Sequence, residues 1–135
     1  MVEIIKHENV NLAIIVRNDF HKSGVTFLTE NENYQQLAYM SHEKGKKITP
    51  HIHQEFKREI YKTQEVLFIK EGVLKVNFFS LKKKFLFSKF LNQGDLILLM
   101  DGGHGFEVME DLKMIEVKQG PFYQDSDKIK FYEKH

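Results

Sequence analysis

Apolar residues in this chain fall in short runs and alternations, not in helical stripes. Residues 10–16 (VNLAIIV) form an apolar run too short for a helix, and 85–91 (FLFSKFL) alternate in part. The same reading predicts strands at 1–6, 25–28, 36–40, 66–69, 74–79, 96–100, 106–109 and 112–118. Residues 66–69 and 74–79 read as a hairpin around Glu71-Gly72, and 106–109 with 112–118 as another around Glu110-Asp111. Lys82-Lys83-Lys84 and Gly94-Asp95 read as turns, and Gly120-Pro121 closes the sheet region. Residues 126–135 suggest a short, poorly anchored C-terminal helix. The pattern is that of roughly ten short strands in one domain spanning 1–135, an all-β sandwich or barrel.

Composition supports this picture. Phenylalanine occurs 12 times in 135 residues, and aromatic residues favour pleated surfaces. The chain has no cysteine, which removes disulfides, thiolate metal sites and cysteine nucleophiles. A net charge of +1 gives no overall footprint for nucleic acid or membrane as partners. No run approaches the length of a transmembrane helix, and the N-terminus lacks a signal-peptide layout. A cytoplasmic location is therefore expected.

The candidate chemistry is concentrated between Gly45 and Gly72, and again at GGHGFEV (102–108). Pro50 favours an extended backbone before His51. A β-strand there would put His51 and His53 on one face, where both imidazoles can reach one metal ion. Glu65 opens an apolar run, and an inward carboxylate needs a partner because an unpaired buried charge is costly. His104 stands alone in its glycine-rich turn.

Gly45, His51, His53, Glu65 and Gly72, followed by Gly94, Asp95, Gly102 and His104, resemble the two motifs of the cupin superfamily. The resemblance implies a double-stranded β-helix, or jelly-roll barrel, in which His51, His53, Glu65 and His104 bind one divalent metal. Iron, manganese, nickel, zinc and copper all suit such donors. The chain departs from the family pattern in the eleven residues between His53 and Glu65, in Met100 where proline is common, and in Val108 where asparagine often stands. Glu55 and Glu59 are rival carboxylates in that insertion. Small cupins of this kind are similar to proteins of sugar and nucleotide-sugar metabolism. This implies an isomerase or epimerase acting on a sugar or sugar phosphate. A non-haem-iron dioxygenase and a non-catalytic ligand- or metal-binding module are the alternatives.

Several other residues have two readings. Gln36 either points into a barrel mouth or lies on the surface. Arg58 either clamps an anionic substrate with its planar fork or is solvated. Tyr61 is either a pocket proton donor or a packing residue. Phe106, beside His104, is expected in the pocket wall. Glu116 and Lys118 share one strand face, which either lines the barrel or faces solvent. His42 reads as a surface histidine. A small-molecule ligand is the expected partner. A homodimer is also expected, with the 10–16 strand closing its edge against a second copy.

Overall fold

The computed structural model describes residues 1–132, and among these the regular structure is β, with no α-helix. Eight strands form: β1 (Val2–His7), β2 (Val10–Val16), β3 (Gly24–Phe27), β4 (Ala38–Ser41), β5 (Glu65–Phe79), β6 (Phe85–Leu91), β7 (Leu96–Leu99) and β8 (Gly103–Lys118). The chain divides into two compact units. One holds Met1–Phe20 and the chain from Thr63 onward, and the other is His21–Lys62.

The larger unit is a six-stranded sheet in the order β1-β2-β7-β5-β6, with β8 on the other edge of β5. The sheet curls into a half-barrel. Its core is made by Ile5, Leu12, Ala13, Ile15, Leu67, Ile69, Leu74, Val76, Phe78, Leu91, Ile97 and Leu99. Ile15, Ile69, Leu74, Val76, Leu91 and Ile97 are wholly buried, so the sheet is held chiefly by apolar burial.

β5 is the axis of this unit. The expected hairpin over 66–79 does not form, because the chain continues as one strand of 15 residues. Its first half pairs with β7 and its second half with β6, while β8 follows it along nearly its whole length. The expected hairpin over 106–118 is likewise absent, and β8 runs unbroken for 16 residues. The apparent turn signals have another use. The β5–β8 register shifts repeatedly between Ile69 and Leu74, so both strands bend at this point through bulges. Gly72 adopts φ 92°, and a Cβ there would lie 2.2 Å from the Asp111 carbonyl oxygen. Only glycine allows the two strands to approach so closely in this conformation.

A polar clamp fixes the turn before β7. Asp95 is 4% exposed and accepts hydrogen bonds from the Asn18 and Asn92 backbone N–H groups at 2.8 and 2.7 Å. Arg17 donates to Asp95 at 3.0 Å and also pairs with Glu3. Gly94 has φ 85° against the Asn18 side chain. The Gly94-Asp95 pair thus builds the fold and is not part of the candidate metal site.

Two further expectations are corrected here. β2 is hydrogen-bonded to β1 on one side and β7 on the other, so the 10–16 strand offers no open edge for a second copy. The C-terminal helix is not found up to residue 132; a single 3-10 turn spans Gln124–Asp127, and residues 133–135 lie outside the described residues. The tail is anchored instead by Phe131, whose ring meets Phe79 edge-on at 5.1 Å and packs over Gly103.

The smaller unit contains the β3–β4 hairpin, in which Val25 faces Met40 across the pair. Beyond it, residues 46–61 have no strand or helix and are exposed throughout. The strand expected at His51–His53 is therefore absent. Pro50 brings an extended backbone but no N–H donor, and no neighbouring strand pairs with the segment, so its apolar residues Ile48, Ile52, Phe56 and Ile60 stay exposed.

Candidate metal centre

In β5 the side chains of Glu65, Leu67 and Ile69 share one face, and the register places Lys118, Glu116 and Met114 of β8 beside them. The core face of β5 thus continues onto β8 as a polar patch at the Glu65 end. His104 comes to the same patch from the start of β8. Its Nε2 lies 3.6 Å from Glu65 Oε1, with the Glu65 side chain 13% exposed. The exposed Phe106 ring lies beside the imidazole, ring centroids 5.3 Å apart and tilted by 34°.

Electrostatics sort the two carboxyls of this patch. Glu65 is drawn down to about 2, first by the His104 ring N–H directed at it, then by the Glu116 carboxyl and the Lys118 charge, all against the opposing effect of burial. Glu116 is pushed up, chiefly by sharing a proton with Glu65, with burial and the Glu65 charge adding to the effect. Lys118 lies 3.8 Å from Glu116 and moderates that rise. Glu65 is accordingly the committed anion, and Glu116 keeps its proton to higher pH than an isolated glutamate. Glu116 and Lys118 lie on the same face as Glu65 and Leu67, with Glu116 exposed to solvent and Lys118 half-buried. Their alternation with Ile115 and Val117 was visible in sequence, but the strand that would face them was not.

His51 and His53 belong to the smaller unit. Their rings sit 5.2 Å apart at 75°, and His51 Nδ1 lies 2.9 Å from the Thr49 carbonyl oxygen. If that contact is an N–H donation, Nε2 of His51 is left as the free lone pair, which suits ligation. The structure therefore brings Glu65 to His104 and His51 to His53, each pair within its own unit. Among the described residues, no three histidine or acidic side chains are already gathered into a metal-holding group.

The remaining candidates have local partners. Gln36 accepts from the Thr29 hydroxyl and donates to the Glu30, Asn31 and Asn33 carbonyls, so its amide braces the 29–36 loop. Arg58 stacks over the Phe56 ring at 3.8 Å. The Tyr61 hydroxyl donates to Glu59 at 3.1 Å. Glu59 also meets Lys57 at 3.4 Å, while Glu65 alone of the three carboxylates considered opens a strand of the core.

Glu65 and His104 stand within ion-pair distance, and carboxylate and imidazole are both donors that nitrogen- and oxygen-preferring transition metals accept. No family model, no curated protein and no solved structure matches this chain. No described helix is long and apolar enough to cross a membrane.

Proposed function

We propose that the chain is a small cupin-type metalloprotein that binds one divalent metal through His51, His53, Glu65 and His104. We further propose that it acts as an isomerase or epimerase on a small polar substrate such as a sugar or sugar phosphate. The observation that carries this reading is the Glu65–His104–Glu116 cluster on the inner wall, where one carboxyl is held ionised and its neighbour is held towards the protonated form. Two neighbouring carboxyls shifted in opposite directions can divide acid and base roles between them, and such shifts cluster at functional sites.

When bound, the metal would supply Lewis acidity to a carbonyl or hydroxyl oxygen. The chain's own residues do the rest. Glu65 offers an anionic oxygen donor across the physiological range. Glu116, pushed up by its neighbour Glu65, is proposed as the group on the same face that takes up and gives up a proton, as isomerisation demands. Lys118 balances the charge as that proton moves, and Phe106 shields His104 from water. Arg58 and Tyr61 are proposed as further substrate contacts.

Elemental analysis of the purified protein tests the reading. About one divalent metal per chain is expected, at the single-site stoichiometry of a four-ligand centre. A protein that stays metal-free after reconstitution overturns it.

A further inference from the structure

A second feature lies wholly within His21–Lys62. A groove of about 1040 Å³ is lined by the β3–β4 hairpin and by the chain that follows it to Thr49. Its apolar part is the cross-strand pair Val25 and Met40 together with Ile48, which are 50%, 57% and 62% exposed. Three side chains of this size, left open to water in one concavity, form an apolar surface ready to receive a ligand.

The polar lining has one predominant sign. Lys44, Lys46 and Lys47 stand against a single acid, Glu43, while the whole chain carries only +1. Among the described residues none of the three lysines has an acidic partner. The turn closed by the Lys46 N–H on the Glu43 carbonyl, at 3.2 Å, returns Lys46 and Lys47 to the groove. Two histidines add further donors. His42 lines the groove, as does His21, whose ring is positioned at 3.3 Å from the Tyr39 hydroxyl. Clustered ammonium and imidazole groups beside an apolar surface complement a ligand with a dianionic head and an apolar body.

We infer that this groove binds a phosphate ester carried on an apolar group. The phosphate sits among Lys44, Lys46, Lys47 and His42, and the apolar part lies on Val25, Met40 and Ile48. The ester is either a soluble compound or a lipid headgroup, since both present the same chemistry. The lysines and the three apolar residues are not themselves proposed metal ligands, and phosphate-ester binding is measured apart from metal content.

Calorimetric titration of the full chain with phenyl phosphate, inorganic phosphate and phosphatidylcholine vesicles containing phosphatidic acid tests it. Phenyl phosphate is expected to bind about tenfold more tightly than inorganic phosphate. Lys46→Glu with Lys47→Glu weakens that binding at least about tenfold, while Lys82→Glu with Lys84→Glu, the same charge change on the β5–β6 turn, alters it by less than about twofold. Met40→Ala weakens phenyl phosphate and leaves inorganic phosphate unchanged. Vesicle binding that depends on Lys46 and Lys47, without phenyl phosphate binding, supports the site and assigns it to lipid headgroups. Circular dichroism confirms that each variant retains its strands. Equal losses in the two double-lysine variants reduce the effect to diffuse charge attraction and overturn the inference, as does the absence of binding to any of the three probes.

Discussion

The two pairs of candidate ligands stand on different kinds of backbone. Glu65 and His104 project from β5 and β8, strands that are hydrogen-bonded to each other and fixed by a largely apolar core. His51 and His53 project from a stretch with no strand or helix, where the side chains around them are exposed. Ordering such a stretch costs about 1–2 kcal/mol per residue in backbone entropy, and packing has already met that cost at Glu65 and His104. Glu65 and His104 are thus held by paired strands, whereas the backbone that carries His51 and His53 is held by no sheet pairing.

The strongest way to break this contrast is at the bend. Gly72→Ala forces a Cβ against the Asp111 carbonyl at a φ that alanine avoids, and we expect a loss on the order of 3 kcal/mol or more in urea denaturation. An unchanged midpoint would show that the strands do not cross so closely. Leu67→Ala, in the fully packed core, should cost about 2–4 kcal/mol, whereas Ile52→Ala, 89% exposed, should stay within about 0.5 kcal/mol.

Next comes the metal. Replacing His51 and His53 together by alanine should abolish metal binding while the metal-free protein unfolds within about 0.5 kcal/mol of wild type. Collapse of the fold on that change would mean that the smaller unit is as preorganised as the larger one. Bound metal should leave as pH falls through about 5–6, because an imidazole must be neutral to ligate. Metal content measured after dialysis across that range checks it, and retention at pH 4 would argue against histidine ligands.

The smallest effects belong to the carboxyl pair. Glu65 has its folded value lowered from the usual 4.5 to about 2, so its stabilisation is complete above the ordinary carboxyl range and is lost as pH falls from there to about 2. Glu116 has the opposite sign: its raised value makes the folded state prefer the proton, so it costs stability once pH rises beyond the ordinary carboxyl range. Its side chain is 45% exposed, so after solvent screening Glu116→Gln should stabilise the metal-free protein at neutral pH by only a few tenths of a kcal/mol, with no gain at low pH. Denaturation midpoints against pH for both proteins would expose any reversal of that order.

How much of this was legible in sequence follows from the same contrast. Strands whose apolar runs end at real turns were readable, and 10–16 and 85–91 coincide with β2 and β6. β5 and β8 misled because Glu71-Gly72 and Glu110-Asp111 have turn chemistry. In the folded chain Gly72 lies against Asp111, so two local turn signals together mark one bend in a pair of long strands. Local composition cannot distinguish these cases, since the deciding contact spans about forty residues of sequence. The same limit hid the role of Glu116, which depends on its register with Leu67 and on Glu65 two residues before it. The HIH strand failed for another reason: proline and alternating faces permit an extended backbone, but a strand also needs a partner. The whole-chain charge of +1 likewise concealed the lysines of the groove, because a sum over all residues erases where they stand.

The Phe131 contact carries a practical consequence. Gly103 immediately precedes His104, and a methyl group at 103 would come within 3.0 Å of the Phe131 ring. A side chain at 103 would press on both the Phe131 ring and the Phe79 Cβ, so position 103 is confined by two neighbours at once. A protease that clips the tail near Lys128 would remove the ring that covers Gly103 and meets Phe79 edge-on.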